Sequence, residues 1–257
     1  MGAVVLPVVM VLATVVAWQA LIWAFEIPHY QVPPPAMVAQ SMVEDWATLS
    51  SALLVTLRIT LMALGTAVTL GVALAIGFSL SRWVAMALYP YAVILQVTPV
   101  VAIAPLIFVY VESKLVGLLI CAWIVAFFPI LSNTTLGLNS ADHGLRDLFR
   151  IYGASRWQTL RLLELPSALP YFLGGLRIAG GLSLIGTVVA EYVAGTGGIG
   201  SGLAFRILEA GYRLNFPRMF AALLLLAATG IVIFGVLSLV SHLALRRWHE
   251  SALRRER

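Results

Sequence analysis

The chain has 257 residues, 61% of them hydrophobic and only 11% charged, against roughly a quarter charged in an average soluble domain. Its net charge of +5 comes from fifteen arginines and the single lysine, Lys114, set against eleven acids. So little polar surface cannot cover a core of this size in water, which excludes a soluble enzyme, a nucleic-acid-binding domain and a disordered chain. An all-α membrane protein remains, expected to form a single domain over residues 1–257.

A membrane-spanning helix needs about 20 mainly apolar residues. About six such spans are read in chain order: Ala3 to Phe25, Leu53 to Leu80, Val84 to Val111, Leu115 to Ser132, Tyr171 to Ala194 and Met219 to Leu245. The first lacks a basic leader and exceeds a signal-peptide core, so it reads as a retained anchor. In the second, Ala63, Ala67, Gly71, Ala75 and Ser79 recur every four residues. Such a ridge lets another backbone come close, within one chain or between copies. The third carries Pro90, Pro99 and Pro105, which suits a span facing protein or a pathway, or a simple packing kink. Gln96 and Thr98 beside these prolines are candidate pathway residues. The pairs Gly174-Gly175 and Gly180-Gly181 mark the fifth span as another close-packing helix.

Near the outer end of that fifth span lies its one acid, Glu191. At 100° per residue it shares a small, polar helix face with Gly180, Ser183 and Thr187. Intramembrane acids face a cavity or a partner, so Glu191 reads as an outer-gate ion pair, a water-exposed wall of the pore, or a buried structural hydrogen bond.

Basic residues divide unevenly between the connections. Arg82, Arg146, Arg150, Arg156, Arg161, Arg246, Arg247, Arg254, Arg255 and Arg257 fall on one side, and Lys114, Arg206, Arg213 and Arg218 on the other. The positive-inside rule then predicts both termini in the cytoplasm.

Between the fourth and fifth spans, residues 133–170 form a polar loop with helical period. Leu145, Leu148, Phe149 and Tyr152 recur on one face. Asn139 or Ser140 is the expected cap, with Asp142 in the first turn, and Gly153 ends the helix. Ser155 and Gln158 make a capping-box pattern for a second short helix, which Pro166 is expected to close with Leu165 extended. The apolar stripe must bury itself, on the membrane surface or in a groove on another protein.

These residues carry a resemblance. The permease subunits of binding-protein-dependent ABC importers have a cytoplasmic signature: Glu-Ala-Ala, three residues, Gly, nine residues, Ile-x-Leu-Pro. Here Asp147-Leu148-Phe149 stands at the triplet, with the acid kept in type and both alanines replaced. Gly153 takes the glycine, and Leu163-Glu164-Leu165-Pro166 follows at the right spacing. The run from Gly153 through Pro170 to Ala179 is similar to the nitrate, sulfonate, taurine and thiamine-precursor group. So are Val32-Pro33-Pro34-Pro35 and Phe127-Phe128-Pro129-Ile130.

The resemblance implies a type I ABC importer permease in the bacterial inner membrane. Asp147, Leu148, Phe149, Gly153, Ala154, Leu165 and Pro166 would couple it to a separate ATPase, present in two copies and carrying the ATP and magnesium. A second permease copy, in a homodimer, and an external solute-binding protein complete the implied assembly. The solute would be a sulfonate- or nitrate-like anion or a thiamine-precursor pyrimidine.

No catalytic or metal site is expected in the chain itself. Gly195 to Gly200 spells G-x-G-x-x-G without the βαβ context that a cofactor needs, and no phosphate-binding loop motif occurs. His29, His143, His242 and His249 show no metal spacing, and the lone Cys121 forms no intrachain disulfide. The alternative is an ion-gradient-driven secondary transporter, for which more intramembrane acids and inverted halves would be expected.

Overall fold

In lipid a backbone must satisfy its own hydrogen bonds, and a helix does so within one segment. The computed structural model describes residues 2–195 and 200–246, and among them all regular structure is helical. Arg247, Arg254, Arg255, Arg257, His249 and residues 196–199 of the glycine-rich run lie outside the described residues. In chain order the helices are α1 (Gly2–Ala24), α2 (Pro35–Glu44), α3 (Trp46–Leu80), α4 (Arg82–Val97), α5 (Val100–Tyr110), α6 (Lys114–Asn139), α7 (His143–Ile151), α8 (Arg156–Thr159), α9 (Leu165–Ala194), α10 (Leu203–Tyr212) and α11 (Phe216–Leu245). A π-helical turn, Leu160–Glu164, joins α8 to α9.

Among the described residues four stretches are long and apolar enough to cross a membrane: α3, α6, the continuous run Arg156–Ala194, and α11; of the predicted first span, Val9–Ala24 of α1 is a shorter apolar helix. The predicted third span differs. It consists of α4 and α5, bent by 102°. Thr98, ahead of Pro99, is pushed out of the helical region to ψ 121°, and Pro99 has no N–H with which to continue α4.

The predicted boundaries around the polar loop also move. Helix α6 continues past Ser132 to Asn139, and the fifth span begins before Tyr171. Pro166 does not close a helix, and Leu165 is helical at φ −62°, ψ −45°. The π turn accounts for both. Leu165 N–H donates to Leu160 O, five residues back, and the widened backbone admits a proline that would otherwise crowd the preceding turn.

The chain forms two compact units. One comprises Met1–Val55 and Gly195–Ala228. Val38, Leu49, Ala52, Leu203, Ala221 and Ala222 make its buried core, and Trp18 stacks on Phe220 at 5.8 Å. Asp45 at the end of α2 pairs with Arg218, while Glu209 on α10 pairs with Arg206 at 2.8 Å and Arg213 at 2.9 Å.

The other unit comprises Thr56–Ala194 and Thr229–Arg257. The small-residue ridge of α3 closes inside it: Ala63, Ala67, Gly71 and Ala75 are buried. A Cβ on Gly71 would stand 2.8 Å from Ile130 Cγ2. Helix α6 lies against α9 with backbones nearly touching, because a Cβ on Gly137 would meet Ala168 Cα at 2.8 Å and one on Gly186 would meet Ala122 Cα at 2.9 Å. The glycine pairs of α9 divide by face. Gly175 packs on Pro129 O and Asn133, and Gly180 on Leu237, whereas Gly174 and Gly181 have open space beside them.

Candidate functional site

Helix α7 is nine residues long and capped at both ends. Asp142, rather than Asn139 or Ser140, is its N-cap and accepts from Leu145 N–H at 3.0 Å. At the C-terminus Gly153 takes φ +69°. Gly153 N–H donates to Arg150 O at 3.1 Å and Ala154 N–H to Phe149 O at 2.9 Å, the paired bonds of a Schellman motif. The next turn closes with a capping box: Ser155 Oγ accepts from Gln158 N–H, and Gln158 Oε1 from Ser155 N–H at 2.7 Å. These bonds fix a hairpin whose outer side is apolar and bare, with Leu145, Leu148, Ile151 and Tyr152 all exposed.

The predicted coupling residues divide between two roles. Asp147, Leu148 and Phe149 sit on α7, and Gly153 and Ala154 in the turn. Leu165 packs against the apolar cluster of the spans, and Pro166 lies in the first turn of α9. The last two therefore anchor the hairpin and do not share its exposed stripe.

A polar node behind the hairpin escaped the sequence reading. Glu164, at the variable position of the Leu163–Pro166 match, accepts from Ser79 Oγ of α3 at 2.6 Å. It also pairs with Arg146 of α7 at 3.5 Å. Arg146 donates in turn to Leu138 O near the end of α6 at 2.7 Å. One ion pair thus ties α7 to three spans.

Glu191 lies in a second polar network, between α3 and α9. Thr56 Oγ1 donates to Glu191 Oε1 at 2.8 Å. Ser183 Oγ donates to Thr60 O at 2.7 Å, and Thr60 Oγ1 reaches Thr187 Oγ1 at 3.2 Å. All five residues are buried. The missed members, Thr56 and Thr60, repeat the four-residue spacing of Ser183, Thr187 and Glu191, and that matched spacing was the available signal.

Gln96 and Thr98 come together elsewhere, at the break between α4 and α5. They line a cavity of about 300 Å³ with Phe128 and apolar residues of α6, and none of its lining side chains is charged. Glu191 is not among its lining residues.

Residues 67–249 match the family described as "Binding-protein-dependent transport system inner membrane component". The chain is 38% identical to the riboflavin transport system permease protein RibX of Chloroflexus aurantiacus, over 96% of this chain and 90% of that protein. It is 29% identical to the formylaminopyrimidine transport permease protein ThiX of Halalkalibacterium halodurans, over 93% and 94%. A chain in the crystal structure of an amino acid ABC transporter shares the fold, with a TM-score of 0.65 at 20% identity, covering 81% of this chain and 97% of that one.

Proposed function

This chain belongs to the family of binding-protein-dependent transport system inner membrane components, and from that premise we propose how it works as the transmembrane permease subunit of an ABC importer. The α7 hairpin docks into a cleft on a separate ATPase, which supplies the ATP hydrolysis. The observation that carries this reading is the apolar stripe Leu145, Leu148, Ile151 and Tyr152, exposed on a helix that Arg146 and Glu164 fasten to the spans. An amphipathic helix held rigidly with its apolar face open suits insertion into a partner's groove. Closure of the ATPase pair would move α7, and the Arg146–Glu164–Ser79 node would carry that movement into α3, α6 and α9.

On this reading the hairpin and both termini face the cytoplasm, as the basic asymmetry favours. Two ATPase copies, a second copy of this permease and an external solute-binding protein complete the transporter. Gln96 and Thr98 line part of the path, and Glu191 acts at its gate by holding α3 against α9. Among the candidate solutes, a nitrogen heterocycle such as a thiamine-precursor pyrimidine is favoured over a sulfonate or nitrate. Two relatives are named for heteroaromatic solutes, and the cavity offers an amide, a hydroxyl and a phenyl ring without a cation to hold an anion.

Leu148→Asp and Gly153→Val test the docking. Nothing surrounds Gly153 within 4 Å, so valine there acts through the backbone, at about 1–2 kcal/mol for a left-handed residue. Both variants should reach the membrane and lose co-purification with the ATPase. Normal co-purification and transport in both would rule out the hairpin as the docking element.

A further inference from the structure

The node behind the hairpin opens onto a polar cavity of about 400 Å³, lined by Ser79, Arg146, Arg150, Arg156, Thr159 and Glu164 among others. We propose that this cavity binds a phosphate-bearing anion, either the headgroup of an anionic phospholipid or a soluble phosphate. The proposal rests on the cytoplasmic orientation of the hairpin argued above.

Charge is the first ground. Three guanidinium groups face one carboxylate across the cavity. Glu164 pairs with Arg146, and among the described residues neither Arg150 nor Arg156 has a carboxylate within ion-pairing distance. Among the described residues the Arg156 side chain donates to Leu80 O alone, at 2.8 Å. The Nε–H of Arg146 is shielded from solvent and has no acceptor among the described residues. The lining therefore carries a net positive charge, which attracts an anion to the cavity. A phosphate oxygen pair matches the planar fork of a guanidinium, which presents parallel donors.

Position is the second ground. Ser79 and Leu80 are the last residues of the 35-residue apolar helix α3, longer than the roughly 20 residues that cross the hydrocarbon core, which suits a cavity at the edge of the bilayer. Trp83 and Trp157, just beyond the lining residues Leu80 and Arg156, are 79% and 59% exposed. Tryptophan favours the membrane–water boundary, and basic pockets on the cytoplasmic side of spans suit anionic headgroups.

Native mass spectrometry of the delipidated transporter tests this, with phosphatidylglycerol, phosphatidylcholine or inorganic phosphate added. The wild type should retain phosphatidylglycerol over phosphatidylcholine. Arg150→Gln should reduce retention roughly fivefold, and Arg150→Gln with Arg156→Gln roughly 5- to 30-fold. Arg213→Gln, at the exposed residue that follows α10, should leave it unchanged. Arg150 is exposed and makes no side-chain bond among the described residues, so its variant is expected to fold even if the double variant does not. A phosphate adduct lost in the arginine variants, without lipid preference, would identify the soluble source. Equal retention of both lipids with no arginine-dependent phosphate adduct would overturn the proposal. So would phosphatidylglycerol bound to the permease alone but expelled by the ATPase, since an acid of that subunit would then be the occupant. Lipid retention does not require transport. Normal ATPase association of Leu148→Asp and Gly153→Val with lipid binding intact would therefore count against the docking reading and not against this site.

Discussion

The Arg218 guanidinium beside Asp45 holds its carboxyl below the usual carboxylate range, with Ser41 adding a second hydrogen bond and burial opposing both. The ordinary value is about 3.9. A depressed folded-state value contributes stability that is fully present above the unfolded value and is lost as pH falls through the folded one. The melting temperature of the wild type should therefore drop below about pH 4 more steeply than that of Asp45→Asn. At neutral pH the variant should already be lower. Parallel pH profiles for the two proteins would show that the pair contributes nothing. Glu191 calls for a different pair of substitutions. Glutamine keeps an acceptor for Thr56 Oγ1 and leucine removes it, and loss of a buried hydrogen bond of this kind costs about 1–3 kcal/mol. Glu191→Leu should melt several degrees lower and Glu191→Gln close to wild type. Transport lost in the glutamine variant without a stability change would mean that the charge itself acts at the gate.

The spacing of α9 against α6 is set by glycines that no longer side chain can replace. In Gly186→Ala the new Cβ would lie 2.9 Å from the backbone of Ala122, which cannot rotate away, and overpacking of this kind costs about 1–3 kcal/mol. Gly181→Ala, on the same helix with open space beside it, should be neutral or slightly stabilising, because alanine favours the helix by up to about 1 kcal/mol. Thermal unfolding of the two in detergent checks this. Equal melting temperatures would mean that α6 and α9 are not in such close contact. The same elements show what a sequence reveals. Gly153 and the Ser155–Gln158 box were legible because their bonds close within five residues. The span α3 and its buried ridge were legible from composition and a four-residue repeat. The Thr56–Glu191 bond joins positions 135 apart, and the four-residue spacing on each helix marks the two polar faces without telling that they meet. Pro166 misled because proline normally ends a helix, whereas this one follows a π turn and stands in the first turn of α9, where its missing N–H is tolerated.

For the whole chain, reporter fusions at the C-terminus and in the Glu112–Lys114 turn should give signals from opposite sides of the membrane. Same-side signals would sink the proposed topology. The described run from Arg156 to Ala194 is continuous over 39 residues, about 58 Å at helical rise, and it joins the hairpin to the residues of the Glu191 ladder. Its π turn contains one residue more than an α-helix would use for the same advance. Deleting one codon within Leu160–Glu164 would return this turn to an α-helix of the same advance and leave the hairpin's direction nearly unchanged, whereas deleting that of Thr159, with the π turn kept, would swing the hairpin about 100° around the helix axis. The stripe Leu145, Leu148, Ile151 and Tyr152 would then face another direction, with every span unchanged. Partner choice in such a chain is therefore open to evolution by one inserted or deleted residue, without any substitution in the docking face itself.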